Sequence, residues 1–233
     1  MTHNLPSRVS AYVDTTMPSL REATLVLAAS GGADSAAMVA LLCETGVARA
    51  GHAVIAHYDH QLRSRGEAEA DRTAVRALAG RYGLPLAEGV WEAPRRSEAA
   101  ARDARYAFLE DAACTHGATI VATGHTRDDQ AETVLMRSMR GAGVHGLAGI
   151  APFAQLPHGD RGAHVARPLL GVARAETRAW CAARSVAFHD DTSNDDRAYL
   201  RNRLRLDVLP ALARAAPDIA DRLTALADHA RAI

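Results

Sequence analysis

The sequence predicts an α/β fold built on a doubly wound parallel sheet, with a small helical extension at the C-terminal end. Short apolar runs typical of strands alternate with longer helical segments over the first 140 residues. The chain has 233 residues, 48% of them hydrophobic, which is enough to bury the core of such a sheet. We therefore expect right-handed βαβ units with helices on both faces.

Each predicted strand is followed by a predicted helix. The strands lie at 24–30, 52–58, 85–91 and 118–125. The first two helices end at Gly46 and Gly83, the third covers roughly 97–116, and the fourth carries RDDQAETVLMRSMR. From 141 to 168 the pattern changes to Gly/Pro-rich loops, followed by a helix near 173–184 and a helical tail at 199–231 that breaks at 216–217.

Composition excludes several classes of protein. The formal net charge is zero, and all 27 basic residues are arginine. The cysteines at 43, 114 and 181 lie far apart, which argues against a zinc ribbon, an iron–sulfur site or a disulfide framework. The N-terminal residues lack the apolar core of a signal peptide, and no apolar stretch approaches the roughly 18 residues that span a bilayer. We expect a soluble, cytoplasmic protein with no membrane partner.

The segment SGGADS (30–35) separates the first strand from the first helix. A glycine loop before a helix exposes backbone N–H groups at the positive end of the helix dipole, where a phosphate can approach closely. Ser30 and Ser35 add hydroxyl donors, and Asp34 can hold a Mg²⁺ ion that bridges phosphates. A Walker A loop is excluded because it needs a lysine. The alternative is a plain glycine turn in which Asp34 caps the helix.

Two more polar segments follow predicted strands, HYDHQLR (57–63) and TGHTRDDQAET (123–133). Because parallel strands end at one edge of a sheet, we expect both segments to converge with SGGADS. The histidines of HYDHQLR could suggest a metal site, but no cysteine or carboxylate pair accompanies them. A polar strand end with solvated charges is the alternative.

Asp129 and Glu132 stand three residues apart on a predicted helix, so their carboxylates lie side by side, with Arg140 near the same face. Buried together, the two carboxylates would repel each other unless a cation lay between them. A substrate ammonium or Mg²⁺ would supply it. The alternative is an exposed acidic first turn, favoured by the helix dipole.

Arg197, Arg201 and Arg205 recur every four residues and predict a basic stripe on one helical face, suited to RNA phosphates. A solvated face paired with nearby aspartates is the alternative. GAGVHG (141–146) matches a dinucleotide fingerprint in letters only, because it follows a predicted helix rather than a strand. We interpret it as a loop.

SGGADS resembles the signature of the ATP pyrophosphatases, the PP-loop superfamily, whose sheet is of the adenine nucleotide alpha hydrolase type. Several segments in a fixed order are together similar to the tRNA(Ile)-lysidine synthase family. They are SGGADS, HYDHQLR, AARDARYAFL (100–109), TGHTRDDQAETVLMRSMRGAGVHGLAGI (123–150), RPLL (167–170) and TSNDDRAYLRNRLRLDVLP (192–210). The similarity covers nearly all of 24–210.

This resemblance implies an ATP-dependent ligase that requires Mg²⁺. The enzyme would adenylylate the C2 oxygen of the wobble cytidine in an isoleucine tRNA, and the amine of free L-lysine would then displace AMP to give lysidine. Residues 1–170 would form the ATP-binding catalytic domain, and 171–233 a helical extension that completes the catalytic region and contacts tRNA. The oligomeric state stays open, with a homodimer among the states considered.

The resemblance also implies three sets of site residues. The ATP-binding set is Ser30, Gly31, Gly32, Ala33, Asp34, Ser35, His57 and Gly124. The catalytic set is Asp34, Arg105, His125, Asp129 and Glu132. The RNA-binding set is Arg63, Arg140, Arg197, Arg201 and Arg205.

Within the catalytic set, the two carboxylates of Asp129 and Glu132 would hold the cationic lysine, and either could accept its proton. His125 would stabilise phosphoryl oxygens in the transition state. Arg105 would contact the lysine carboxylate or the adenylyl phosphate, with an ordinary surface arginine as the alternative.

Two other functions remain open. One is a different reaction of the same superfamily, such as tRNA thiolation or amidation of a small molecule, although thiolation generally needs paired cysteines. The other is a nucleotide-binding module without turnover, for which an acidic pair would not be needed.

Overall fold

A computed structural model describes residues 4–62, 64–92, 97–157, 162–189, 197 and 199–233. The chain divides into two compact units. The first comprises Met1–Gly124, Pro152–Pro168 and Ala175–Asp190, and the second His125–Ala151, Leu169–Arg174 and Asp191–Ile233. Each unit is assembled from separate stretches of chain. The predicted functional boundary at residue 170 stays a prediction.

The first unit contains a six-stranded sheet in the order β3-β2-β1-β4-β6-β5. Its strands are β1 (Leu25–Ala28), β2 (Ala53–Asp59), β3 (Leu86–Val90), β4 (Ile120–Ala122), β5 (Phe153–Gln155) and β6 (His164–Ala166). All neighbouring pairs are parallel except β5 and β6, which are antiparallel. The predicted α/β fold with its parallel sheet is confirmed, and the antiparallel edge strand is an addition to it.

The helices in the described part of the chain include every predicted helix and two that were not predicted. They are α1 (Leu5–Thr16), α2 (Ala33–Glu44), α3 (Arg65–Tyr82), α4 (Glu98–Thr115), α5 (Arg127–Met139), α6 (Val144–Leu147), α7 (Arg174–Ala183), α8 (Leu200–Arg203), α9 (Leu209–Ala215) and α10 (Ile219–Ala232). A π-helical turn, Leu204–Val208, joins α8 to α9.

The core of the first unit forms around the central strands. Val26 of β1 and Val121 of β4 are fully buried and cluster with Tyr106 and Leu109 of α4. The apolar helix α2 is buried along almost its whole length, as expected for a helix without a polar face. No helix that the structure describes is long and apolar enough to cross a membrane.

Local signals explain where helices begin and end. Ser64 and Glu67 form a reciprocal capping box at the start of α3, and Gly83 ends that helix in the left-handed conformation. In the second unit, α10 packs on α5 and α6, and its Ala227 and Ala230 are buried. The predicted break at 216–217 falls between α9 and α10.

Two regions differ from the sequence-based expectation. The segment 141–168, expected to be loops, contains α6, β5 and β6. Helix α1 was not predicted, although Leu5, Val9 and Val13 form a buried stripe along it. The strands β5 (FAQ) and β6 (HVA) were missed because each lies in the Gly/Pro-rich stretch and lacks an apolar run such as the one that contains β4, ATIVA.

Candidate active-site residues

The SGGADS loop lies between β1 and α2 and is braced by its two serines. The Ser35 hydroxyl accepts a hydrogen bond from the Ser30 backbone N–H at 3.1 Å and donates to the Gly32 carbonyl at 2.9 Å. The two hydroxyl oxygens are 3.2 Å apart. These bonds fix a tight turn immediately before the helix, as a phosphate-binding loop requires.

Two glycines allow the backbone to pack where a side chain could not fit. Gly31 has a φ of +98°, and a Cβ there would lie 2.7 Å from Oδ1 of Asp71. A Cβ on Gly124 would lie 2.9 Å from the backbone N and Cα of Ser35. The segment that follows β4 therefore packs directly on the loop that follows β1. This agrees with the prediction that these two segments converge at one edge of the sheet.

Asp34 lies in the first turn of α2 and is not the helix cap, because the N-cap is Gly32. Its Oδ1 accepts a hydrogen bond from the hydroxyl of Thr177, which is fully buried. Among the described residues, no group of three or more His, Cys, Asp or Glu could hold a metal ion. One oriented carboxylate fits Mg²⁺ in the way this ion commonly binds, through a single carboxylate together with substrate phosphates.

His57, on β2, is buried and its Nδ1 lies 2.9 Å from the carbonyl oxygen of Ala29. A carbonyl can only accept, so Nδ1 carries the proton, and a neutral ring presents Nε2 as an acceptor. His57 thus supports the residue directly before the loop. Arg63, in the same predicted segment, lies outside the described residues.

Arg105 belongs to a group of guanidiniums around Tyr106. The Arg105 guanidinium lies 5.4 Å from the Tyr106 ring centroid and that of Arg102 lies 4.9 Å from it. Arg167 is buried, and burial lowers the pKa of its guanidinium, an effect that Tyr106 opposes. Arg105 is half-buried. Positive charges grouped this closely suit an anionic ligand better than an isolated surface arginine would.

In the second unit, Asp129 and Glu132 form a four-membered charge cluster with Arg174 and Arg201, which we call the acid–arginine tetrad. Arg174 donates to Asp129 Oδ1 at 3.0 Å and to Glu132 Oε1 at 3.1 Å. Arg201 donates to the same Asp129 oxygen at 2.8 Å and to Glu132 Oε2 at 2.7 Å. Two negative and two positive charges are thereby balanced.

The two carboxylates of the tetrad differ in the hydrogen bonds that their oxygens accept. The second Asp129 oxygen accepts from the backbone N–H and the hydroxyl of Thr126, which caps α5. Burial favours the neutral carboxylic acid, but the charges of Arg174, Arg201 and His125 hold the pKa of Asp129 below its usual range. Asp129 is therefore a weak base in this arrangement. Glu132, only 2% exposed, accepts one bond at each oxygen.

The predicted side-by-side carboxylates are present, and the alternative of an exposed acidic turn is wrong because Glu132 is buried. The cation between them is supplied by the chain itself. Arg201 was predicted as an RNA contact and not as a partner of these carboxylates, and Arg174 was not predicted as a site residue. Its only sequence signal is its position at the start of a predicted helix, which does not indicate a carboxylate partner 42 residues away.

The predicted basic stripe on one helical face is wrong. Helix α8 begins at Leu200, so Arg197 precedes it and pairs with Asp207 at 3.3 Å. Arg205 lies in the π-helical turn, whose wider repeat shifts side chains out of the 3.6-residue register. Arg140 is exposed at the end of α5. RNA binding by these arginines stays a prediction.

Most of the amino-acid sequence matches the model of a known protein family. Residues 2–212 match the family model for the PP-loop domain. The chain belongs to the family of PP-loop ATP-binding domains. SGGADS lies within the matched range, and we refer to it as the PP-loop. GAGVHG follows α5 rather than a strand and is not a dinucleotide fingerprint.

Curated relatives of this PP-loop domain include three tRNA(Ile)-lysidine synthases. That of Geobacter sulfurreducens is 44% identical over 213 residues, covering 88% of this chain and 43% of the relative. That of Salinispora arenicola is 44% identical over 90% of this chain and 62% of the relative. That of Streptomyces coelicolor is 43% identical over 85% and 55%. The chain spans about half the length of the curated relatives it matches.

Solved structures confirm the fold of the PP-loop domain. The U34-tRNA thiolase NcsA from Methanococcus maripaludis superposes with a TM-score of 0.73 at 16% identity, over 96% of this chain and 78% of that one. NMN synthetase from Francisella tularensis gives 0.57 at 13% identity, over 99% and 96%. At these identities the likeness concerns the fold alone.

Proposed function

We propose that the chain ligates lysine to the wobble cytidine of an isoleucine tRNA, forming lysidine and converting ATP to AMP and pyrophosphate. The observation that carries this proposal is the PP-loop, a serine-braced glycine turn without lysine, followed on α5 by a carboxylate pair of which Glu132 is buried and Asp129 is 13% exposed. The identity of 40–44% to tRNA(Ile)-lysidine synthases over most of this chain supports it.

In the first step, the C2 oxygen of cytidine attacks the α-phosphorus of ATP and pyrophosphate leaves. The residues from Ser30 to Ser35 hold the pyrophosphate through backbone N–H groups and hydroxyls. Asp34, oriented by Thr177, would hold Mg²⁺, and this ion would neutralise phosphate charge. Gly124 leaves room for the loop, and His57 keeps the end of β1 in place.

Arg105 and His125 would act on the charged groups of this reaction. We assign Arg105, with its neighbouring guanidiniums, to the α-phosphate or to the lysine carboxylate. His125 would donate to phosphoryl oxygens as negative charge develops on them. Both assignments rest on the resemblance and on the charge of these side chains.

In the second step, the amine of lysine attacks C2, the C2–oxygen bond to AMP breaks, and the amine loses a proton. Asp129 and Glu132 would hold the lysine ammonium before this attack. Because both guanidiniums already bond to the carboxylates, one must move to admit the ammonium. Arg201 is the better candidate, since its side chain is 32% exposed against 15% for Arg174.

The low pKa of Asp129 favours holding the ammonium over removing its proton. Arg201, once released, could meet an RNA phosphate, as could Arg140, Arg197 and Arg205. We retain 1–170 as the catalytic region and 171–233 as the extension that contacts tRNA.

The test is ATP–pyrophosphate exchange with an isoleucine tRNA transcript, followed by incorporation of labelled lysine. Asp129→Asn should retain ATP binding and lose lysine transfer. Asp228→Asn is the matched control, because that carboxylate is 62% exposed and its ion pair is with Arg231. Unchanged transfer in Asp129→Asn would refute the role of that carboxylate. ATP binding without tRNA-dependent release of pyrophosphate would leave only a nucleotide-binding module.

A further inference from the structure

A buried aspartate and a histidine lie beside the PP-loop within the first unit. Oδ1 of Asp71, on α3, is 3.0 Å from Nδ1 of His189. The Asp71 side chain is 7% exposed and that of His189 is 28% exposed. Since a carboxylate accepts, Nδ1 of His189 is the protonated nitrogen of this contact.

Both members of this pair also contact the first glycine of the PP-loop. The His189 backbone N–H donates to the Gly31 carbonyl at 2.9 Å. Asp71 packs so closely on Gly31 that a Cβ there would lie 2.8 Å from the Asp71 Cα. The pair is thus attached to the loop through main chain on one side and side chain on the other.

The second ring nitrogen of His189 remains available. Nε2 has no hydrogen bond to any residue that the structure describes, and His189 lines an open groove together with Glu69 and Thr73 of α3. With Nδ1 bonded to Asp71, an imidazolium form of this ring has a second N–H donor at Nε2.

A positive charge and an N–H donor at His189 would favour binding of a polyphosphate beside the Asp71 carboxylate. A buried carboxylate next to the PP-loop repels a polyphosphate bound there unless a positive charge offsets it. An imidazolium bonded to that carboxylate supplies the charge and an N–H donor at the same place, and a charge-assisted bond to a phosphate oxygen is among the stronger hydrogen bonds in proteins.

We propose that His189 is a phosphate-binding residue that donates its Nε2–H to the pyrophosphate portion of ATP, and that Asp71 is the positioning residue that holds its ring. This rests on the proposed binding of ATP by the PP-loop. It goes further by assigning two residues outside SGGADS to the phosphate end of the nucleotide.

The test is direct binding of ATP, inorganic pyrophosphate and AMP to the full chain, with no tRNA or lysine present. His189→Asn keeps an amide donor near the position of Nδ1 for Asp71 but has no atom at the position of Nε2. We expect it to bind ATP and pyrophosphate about tenfold more weakly, as for one lost charge-assisted bond. Binding of AMP should stay within twofold, which also shows that the variant is folded.

Asp71→Ala should give the same selective loss because the ring is no longer held, and Asp71→Asn, which keeps an acceptor oxygen, should give a smaller one. If the two residues act as one, the losses in Asp71→Ala and His189→Asn will not add in the double variant. His52→Asn, which removes an exposed imidazole of the same unit, is the matched control and should bind all three ligands normally.

Pyrophosphate binding that is unaffected in His189→Asn, or AMP binding that falls as much as ATP binding, would overturn the proposal. Failure of the wild-type chain to bind ATP or pyrophosphate would overturn it together with the proposed function. If the chain forms no lysidine but the variants still lose ATP and pyrophosphate binding selectively, the role of Asp71 and His189 is supported. Only the proposed ligase activity is then refuted.

Discussion

The PP-loop and the acid–arginine tetrad differ in the groups that they offer to a charged ligand. The PP-loop presents backbone N–H groups and hydroxyls from six consecutive residues, and its geometry depends on the absence of side chains at Gly31 and Gly124. The tetrad brings together four charged side chains from three separate stretches of the second unit. The loop should therefore be sensitive to added volume, and the tetrad to an unbalanced charge.

The largest expected effect is on the tetrad. Arg174→Ala leaves the Asp129 and Glu132 carboxylates with a single guanidinium, and removing one partner of a buried ion pair typically costs about 3–5 kcal/mol. We expect the free energy of unfolding in urea to fall by an amount in that range. Arg140→Ala, at an exposed position, is the control and should change stability little. Equal stabilities would show that the tetrad is not a structural element.

The next effect is on the loop. Gly31→Ala places a Cβ into Asp71 and forces an alanine into the left-handed region, which together should cost about 3 kcal/mol and abolish ATP binding. Gly46→Ala is the matched control, because Gly46 has a φ of +70° but no heavy atom within 4 Å of the added Cβ. Gly46→Ala should lose only about 1 kcal/mol. Similar losses in both would mean that the close approach of Asp71 has no effect.

A smaller effect is expected where only one hydrogen-bonding group is removed. Ser35→Ala deletes the hydroxyl that braces Ser30 and Gly32, and should weaken ATP binding by about 1–2 kcal/mol. Calorimetric titration with ATP measures this. Ser138→Ala, which removes a hydroxyl bonded within α5, should leave the affinity unchanged. A normal affinity in Ser35→Ala would show that the brace does not support the phosphate site.

The smallest effect appears only in acid. The pKa of Asp129 is lower in the folded chain than the usual value of about 3.9 in an unfolded one, so its contribution to stability is complete above that value and is lost as the pH falls through the folded pKa. Melting temperatures of the wild type should therefore decline more steeply below about pH 4 than those of Asp129→Asn. Parallel declines would contradict the sign of this shift.

Much of the fold and half of the site could be predicted because their signals are local. The strands from β1 to β4 are apolar runs ahead of helices, and Ser30–Ser35 lies in one continuous segment. Arg174 and the Asp71–His189 pair could not be predicted, since each contact joins residues more than 40 positions apart. The basic stripe failed because helical periodicity was assumed across Arg197, which lies ahead of α8, and across a π-helical turn.

Asp129 bonds to arginines through one oxygen and to Thr126 at the start of α5 through the other. The amide proton of Thr126 is thereby a natural spectroscopic probe, since its resonance should move whenever the facing carboxylate changes protonation or partner. Following that single amide resonance by NMR during titration with lysine would monitor occupancy of the acidic pair in solution. No chemical tag on the protein is needed.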